Sequence, residues 1–184
     1  TGLRIAERLS GRDDLSLITL PEEQRKDSVS RARALNEADI TVLCLPDAAA
    51  REAVSWIENP DTVVLDASTA HRTAPGWVYG FPELSAAHAQ AVCTAKRIAV
   101  PGCHASGFIA LTAPLTAAGI LPKKTLLSCF SLTGYSGGGK KMIADYETQP
   151  LPEVLHAPRQ YALGQSHKHL PEMAAQSGLP APVF

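Results

Sequence analysis

The sequence has little excess charge, few aromatic residues and no long apolar run. Its 17 basic and 18 acidic residues leave a net charge of −1, which gives no reason to expect a nucleic acid or an anionic membrane as partner. No apolar run approaches the roughly 18 residues that a membrane span needs, and no charged-then-apolar leader opens the chain. The composition is otherwise that of an ordinary globular protein of 184 residues, long enough for one ample domain or two small ones.

Paired cysteines are also missing. The four cysteines contain no CxxC pair, and their scatter suits neither a zinc site nor a small disulfide scaffold. We predict no metal site, and free thiols in a chain of this size favour a reducing compartment, so we expect a cytoplasmic protein. Cys44, Cys93 and Cys129 lie in apolar or strand-like surroundings and fit a buried core, whereas Cys103 has very different neighbours.

Apolar runs alternate with helical patterns in the first half of the chain. Segments 39–46, 62–67 and 97–101 are predicted strands, 15–20 is a shorter one, and 47–56 is a predicted helix. Continuous β-branched runs at this spacing indicate βαβ units and a parallel sheet covered on both faces. The predicted class is therefore α/β, with a doubly wound, parallel-sheet nucleotide-binding domain.

The pattern changes after residue 120, where a strand candidate of mixed polarity (125–132) is followed by a glycine-rich loop and a proline-rich stretch. We therefore predict two domains, a dinucleotide-binding domain over 1–102 and an incomplete α+β catalytic domain over 103–184. A nucleotide-binding domain normally begins with a strand and a glycine-rich turn. Here only Thr1-Gly2 matches the tail of that turn, so both ends of the sequence look cut.

The sharpest local signal is Val-Pro-Gly-Cys-His-Ala-Ser-Gly at 100–107. A short strand runs into Pro-Gly and then an apolar helix, which places the sulfur of Cys103 at or near a helix N-terminus. The partial positive charge there stabilises a thiolate, the nucleophilic form of cysteine. The alternative is a buried cysteine at a tight turn, since free cysteine is most often a small buried hydrophobe.

Two further clusters carry polar chemistry. Tyr161 precedes Ser-His-Lys-His-Leu-Pro-Glu at 166–172, where a histidine is a candidate proton carrier and a solvated basic loop is the alternative. Gly-Tyr-Ser-Gly-Gly-Gly-Lys-Lys at 134–141 offers backbone N–H groups and positive charge to an anion, or is a flexible connection. Segment 66–72 follows a predicted strand, so Arg72 lies at the ligand-binding edge of the sheet and can pair with a carboxylate or phosphate.

The segment after Leu20 bears on the cofactor. No acidic residue stands at the strand tip to hold a ribose 2′-hydroxyl, and Arg25 and Lys26 follow instead. This arrangement favours a 2′-phosphate and hence NADP. The alternative is an exposed, charged helix start, because Glu22 and Glu23 intervene.

Six segments in this order resemble one family, the N-acetyl-γ-glutamyl-phosphate reductases, and in detail their shorter, second type. The segments are 44–49, 66–72, 79–84 (Tyr-Gly-Phe-Pro-Glu-Leu), 101–103, 134–141 and 167–172. The resemblance spans nearly the whole chain. It implies an α/β nucleotide-binding domain joined to an α+β domain of the glyceraldehyde-phosphate-dehydrogenase type. It also implies NADPH-dependent reduction of N-acetyl-L-glutamyl 5-phosphate to the 5-semialdehyde in arginine biosynthesis, with a homo-oligomer as the expected assembly.

The same resemblance assigns roles to residues. The nucleophile is Cys103 and the acid/base is His167, with His169 as the fallback. The expected substrate-binding residues are Arg72, Ser136, Gly137, Lys140 and His169. The expected cofactor-binding residues are Gly2, Arg25, Lys26, Pro46 and Ser68.

Three rival interpretations remain open on the sequence alone. Cys103 and His167 also fit a cysteine hydrolase that transfers an acyl group to water without a nucleotide. A neighbouring semialdehyde dehydrogenase with another acyl phosphate would share the architecture and the cysteine. A non-catalytic interaction module would leave Cys103 no more reactive than the other thiols.

Overall fold

A computed structural model describes residues 2–158, 160 and 162–184. Within these residues the first half of the chain forms one four-stranded sheet, in which every neighbouring pair of strands is parallel. The spatial order is β1-β2-β4-β3. The strands are β1 (Ile40–Leu43), β2 (Val63–Asp66), β3 (Val78–Tyr79) and β4 (Arg97–Ala99).

Helices connect these strands and make up most of the regular structure in the second half. The helices are α1 (Gly2–Ser10), α2 (Ser28–Glu37), α3 (Asp47–Ser55), α4 (Ala86–Thr94), α5 (Cys103–Ala117), α6 (Gly139–Glu147) and α7 (Leu170–Ser177). Local chemistry sets several of their starts: the side chains of Asp27 and Ser85 accept backbone N–H bonds at the N-termini of α2 and α4. Pro171 stands in the first turn of α7, where its missing N–H costs nothing.

Two apolar clusters hold the elements together. One covers the sheet with α3, through Leu43, Ala53 and Val64. The other packs α5 against α7 and against the end of β3; its buried members are Tyr79, Ala105, Phe108, Ile109, Leu170 and Met173. Because Tyr79 belongs to the sheet, the second cluster joins the two halves of the chain in one core.

The strand register places four chain exits in one row. Leu43 pairs with Asp66, Asp66 with Ala99, and Ala99 with Tyr79, and each of these residues is the last of its strand. The segments that leave this edge begin at residues 44, 67, 80 and 100. Four of the six sequence motifs therefore start side by side, each within one residue of an exit, at the edge where ligands of open α/β sheets bind.

Most predicted elements agree with the structure, and two predicted strands do not. The α/β class is confirmed. Segment 15–20 is irregular, because none of the described strands pairs with it, and Leu15, Leu17 and Ile18 are each exposed by more than a third. Segment 125–132 forms only an isolated bridge from Ser128 to Val183. An apolar run becomes a strand only where another strand completes its hydrogen bonds.

None of the helices that the structure describes is long and apolar enough to cross a membrane.

Candidate active site

Cys103 is the first residue of α5 and is exposed. The strand β4 ends at Ala99, and three residues turn the chain from the sheet edge into this helix. Gly102 caps the helix without a side chain, so nothing at that position shields the sulfur. The first backbone N–H groups of a helix have no intrahelical partner, which makes this turn a place where negative charge is stabilised.

Three imidazoles gather next to the cysteine. The rings of His167 and His169 lie 5.6 and 5.7 Å from the ring of His104, the residue that follows Cys103. The rings of His167 and His169 are themselves 4.5 Å apart and nearly perpendicular. The fold therefore brings the His-Lys-His stretch to the helix that carries the thiol, although more than 60 residues separate them in sequence.

A buried carboxylate fixes this arrangement. Glu172, in the first turn of α7, has only 1% of its surface exposed. Its Oε1 accepts a 2.7 Å bond from Arg72 Nη1, and its Oε2 accepts from the hydroxyl of Tyr79 (2.6 Å) and from the backbone N–H of Gly102 (3.0 Å). One side chain thus holds the turn before Cys103, the end of β3 and the segment after β2. We call this set the Glu172 cluster.

The Glu172 cluster leaves no room at Gly102. A Cβ added there would lie 2.6 Å from both Arg72 Nη1 and Glu172 Oε1, and closer still to His169 Nε2. Only a glycine permits so close an approach of backbone to side chains. The turn before Cys103 is therefore packed directly against the residues that carry the second half of the site.

Arg72 has a different place from the one expected from the sequence. Its guanidinium is buried, and besides the ion pair with Glu172 it donates to the carbonyls of Val100 (2.9 Å) and Ala67 (3.3 Å). A guanidinium committed to three internal acceptors does not present a fork to an outside anion. Arg72 instead neutralises Glu172 and ties the 67–72 segment to the turn before Cys103.

Burial and mutual repulsion keep the histidines neutral. The pKa of His169 falls to about 4, first because of burial and then because of the positive charges of Arg72, His167 and His104. The pKa of His167 is lowered by burial and by the charges on His104 and Arg72. Among the described residues, the buried Nδ1 atom of His169 has no hydrogen-bond partner. His167 is less buried and is the better placed of the two to exchange a proton with a ligand.

The expected cofactor edge contains Pro46 and Ser68. Pro46 caps α3 three residues after β1 ends, and Ser68 lies two residues beyond the end of β2. The hydroxyl of Ser68 donates to Asp66 Oδ2 (2.7 Å), and the same oxygen lies 2.6 Å from His71 Nδ1. The ring of His71 stacks on Trp77 at 4.0 Å. These contacts fix the shape of the 67–72 turn and engage the hydroxyl of Ser68 within it.

The remaining cofactor-binding candidates lie toward the start of the chain. Arg25 is exposed, and its Nε donates to the carbonyl of Leu20; Lys26 is exposed as well. Gly2 is the first residue of α1, while Thr1 lies outside the described residues. Both basic side chains are accessible, as a contact with a 2′-phosphate would require.

The glycine-lysine loop forms a 3₁₀ turn over Tyr135–Gly138 that leads into α6. Ser136, Gly137 and Lys140 are exposed there. Tyr135 of this loop stacks on Tyr146 of α6, with the two rings 5.1 Å apart. The loop is open to a ligand, and none of its described hydrogen bonds joins it to the histidine cluster. Tyr161, the other polar residue of this half, lies outside the described residues.

A groove of about 350 Å³ runs beside Cys103, between α5 and the 127–131 segment. Cys129 lines it as well, but burial raises the pKa of that thiol. In the described part of the chain, no group of three or more histidine, cysteine, aspartate or glutamate side chains is arranged to hold a metal ion.

Known families match both halves of the chain. Residues 6–92 match the semialdehyde dehydrogenase NAD binding domain, and residues 103–181 match the semialdehyde dehydrogenase dimerisation domain. The chain belongs to the semialdehyde dehydrogenase family. Within this family the resemblance to N-acetyl-γ-glutamyl-phosphate reductases is confirmed by several relatives of that name at about half identity.

Three of these relatives show the extent of the match. A protein of Burkholderia lata named N-acetyl-gamma-glutamyl-phosphate reductase is 52% identical over 97% of this chain and 56% of its own length. One of Chelativorans sp. with the same name is 50% identical over 97% of this chain and 57% of its own length. The N-acetyl-gamma-glutamyl-phosphate reductase 2 of Pseudomonas putida is 50% identical over 100% of this chain and 59% of its own length. The chain thus spans a little more than half the length of the relatives it matches.

Sequence reasoning missed three residues of this semialdehyde dehydrogenase site. His104 adjoins the cysteine, and its position in the first turn of an apolar helix was the available signal. Glu172 and Tyr79 stood inside quoted motifs, but no local pattern pairs them. In the sequence, an acidic residue in the first turn of a helix is explained by its favourable interaction with the helix dipole. Its distant partners become visible only in the structure.

Proposed function

We propose that the chain is the core of a reductase that converts N-acetyl-L-glutamyl 5-phosphate into N-acetyl-L-glutamate 5-semialdehyde and phosphate, with NADPH as reductant. The observation that carries this proposal is an exposed cysteine at a helix N-terminus with the His-Lys-His stretch brought beside it. The names of the relatives specify the substrate. The proposed place is the cytoplasm and the proposed pathway is arginine biosynthesis.

Cys103 acts as the nucleophile. Its sulfur attacks the acyl carbonyl, the carbon–oxygen bond to the phosphate breaks, and phosphate leaves with the electron pair, giving a thioester. Splitting the reaction through a covalent intermediate replaces one difficult step by two easier ones. The free N–H groups of the first turn of α5 stabilise the oxyanion of each tetrahedral state.

His167 handles the proton. Neutral His167 accepts the thiol proton of Cys103, which its lowered pKa permits at neutral pH. It then donates this proton to the oxygen of the thiohemiacetal that reduction leaves on Cys103. It takes the proton back as the carbon–sulfur bond breaks and the aldehyde departs. His169, more buried and with a pKa of about 4, orients the substrate instead.

The nicotinamide, when bound, supplies the hydride that reduces the thioester. Support for a nucleotide at the sheet edge comes from the chain exits after β1 and β2, where Pro46 and Ser68 lie just beyond the ends of two adjacent parallel strands. Arg25 and Lys26 are exposed and basic, which favours NADP over NAD. The match to an NAD binding domain supports a nicotinamide cofactor in general.

The anionic end of the substrate is assigned to the glycine-lysine loop. Ser136 offers its hydroxyl in a short 3₁₀ turn, in which the N–H of Gly137 donates to the carbonyl of Gly134, and Lys140 adds a positive charge one residue into α6. Arg72 contributes only indirectly, through the Glu172 cluster. The match to a dimerisation domain supports a homo-oligomer as the working assembly.

Covalent acylation is the direct test. The chain is mixed with freshly prepared N-acetyl-L-glutamyl 5-phosphate without nucleotide, and intact mass and released phosphate are measured. We expect one N-acetylglutamyl group on Cys103 and one equivalent of phosphate. Cys103→Ser should abolish both, while Cys93→Ser, at an exposed cysteine of α4, should change neither.

The outcome also separates the rival enzymes. Continuous phosphate release without NADPH would indicate a hydrolase, because water would then discharge the thioester. Equal phosphate release by Cys103→Ser would rule out the covalent route. Reduction is followed separately, as loss of NADPH absorbance with this substrate and with other acyl phosphates, in a protein that carries this chain at the full length of its relatives.

A further inference from the structure

His104 follows the nucleophile directly but has a different environment. The two residues open α5, where successive side chains point about 100° apart. Cys103 is exposed, whereas the relative exposure of His104 is 9%. The Nδ1 atom of His104 lies 2.7 Å from the hydroxyl oxygen of Ser131. A hydrogen bond to a distant segment therefore fixes the orientation of this ring.

The same ring packs against the proposed acid/base. His104 meets His167 edge to face, with the rings 5.6 Å apart and 85° between their planes. His169 lies 5.7 Å from His104 and 4.5 Å from His167. Phe184 closes the group, 5.2 Å from His104 and 5.0 Å from His167. His167 is thus held among three rings, one of which is anchored by Ser131.

We propose that His104 is a positioning residue of this site, which holds the ring of His167 edge-on and, as a third imidazole, opposes protonation of the other two. The inference rests on the proposed role of His167 as the acid/base. It assigns the histidine after the nucleophile a specific part in that role, through a neighbour and without contact with the substrate.

The charges around the cluster act mostly in one direction. The N-terminus of α5 places partial positive charge beside His104, and burial lowers the pKa of that imidazole. Glu172 supplies a negative charge 3.9 Å from His169 Nε2, although its oxygens are also engaged by Arg72, Tyr79 and Gly102. Arg72, from the segment after β2, acts on His167 and His169 with its positive charge. Cys103 of α5 adjoins His104 in sequence, and Lys168, between the other two histidines, pairs with Asp47 at 3.3 Å.

Histidine NMR titration of the chain tests the proposal. Resonances of the three imidazoles are assigned by single substitutions, and midpoints are measured in the wild type and in His104→Phe. Phenylalanine keeps the aromatic packing but cannot carry charge. We expect the midpoint of His167 to move to higher pH in this variant. His156→Phe makes the same chemical change at an exposed site and should leave that midpoint unchanged.

An unmoved His167 midpoint in folded His104→Phe would overturn the proposal, because packing alone would then be the whole role of His104. If that variant does not fold, the titration curves of His104 and His167 in the wild type test the proposal instead. Coupled imidazoles titrate over a broadened range with Hill slopes below one, and independent curves for His104 and His167 would overturn the proposal equally. Neither measurement uses substrate, so failure of the reductase proposal would appear separately, as missing acylation of Cys103.

Discussion

Replacing Gly102 by alanine measures how tightly the turn before Cys103 is packed. The backbone at Gly102 has φ −74° and ψ 148°, a conformation that any L-residue adopts, so alanine brings no backbone strain. Its Cβ would lie 2.6 Å from Arg72 Nη1 and from Glu172 Oε1, and closer still to His169 Nε2. Packing or hydrogen bonds hold all three side chains in place. The methyl group can therefore be accommodated only if the side chains of the Glu172 cluster move apart.

The expected cost follows from two effects. Forcing an extra methyl group into a packed interior costs about 1–3 kcal/mol, and separating a buried ion pair costs about 3–5 kcal/mol. We therefore expect Gly102→Ala to lower the free energy of unfolding by at least about 2 kcal/mol. The matched control is Gly107→Ala in the same helix, where an added Cβ meets nothing within 4 Å. An interior helical glycine replaced by alanine gains about 0.5–1 kcal/mol.

Urea unfolding of both variants, followed by tryptophan fluorescence, gives the two free energies. The rate at which iodoacetamide alkylates Cys103, read by peptide mass, reports whether the turn has moved. The reasoning is refuted if Gly102→Ala stays within about 0.5 kcal/mol of wild type, the usual range for substitutions away from packed features. Equal destabilisation by Gly107→Ala would also refute it, since the effect would then belong to the helix and not to the cluster.

Four other predictions concern the Glu172 cluster and the neighbouring His169. Glu172→Gln should lower the free energy of unfolding by about 3–5 kcal/mol, because it leaves Arg72 buried without a counter-charge. Tyr79→Phe removes one hydrogen bond to a charged group and should lower it by only about 1.5–3 kcal/mol in the same unfolding assay. Arg72→Lys should lower the melting temperature, because an ammonium cannot reproduce donation by Nη1, Nε and Nη2 to three acceptors, while substrate affinity of the folded fraction stays unchanged. The pKa of His169 is about 4 in the folded chain, so the unfolded chain binds more protons above that pH. Stability should therefore fall by up to about 3 kcal/mol as pH drops from about 6.5 to 4, and urea titrations of His169→Asn should show a smaller fall.

Local patterns predicted much of the fold. Helix α3 and strand β2 lie within one residue of their expected bounds, since each depends on apolar periodicity and on a nearby breaker such as Pro46, whereas β1 ends three residues before its expected end. Segment 15–20 has an equally strand-like composition, yet it remains irregular because a strand also needs a partner. Composition indicates which residues can form a strand, and only the assembled sheet decides which of them do.

The site divides in the same way. The exposure of Cys103 at a helix start followed from the order strand, Pro-Gly, cysteine, apolar helix, which is local. The internal ion pair of Arg72 could not be predicted in this way, because its partner Glu172 is 100 residues away. From the sequence alone, an arginine at a sheet edge is interpreted as an anion-binding residue.

The position of Glu172 explains why the two halves of this chain depend on each other. A nucleophile and an acid/base that come from different parts of a chain must be held within a fraction of an ångström of their working geometry. Glu172 lies three residues after His169 and binds the N–H of Gly102, one residue before Cys103. A rotation of α7 that moved the histidines would therefore pull on the turn that carries the thiol. Because Arg72 and Tyr79 bind the same carboxylate, the sheet edge proposed for the nucleotide is fixed to both, so the three parts of the site keep their spacing through one buried side chain.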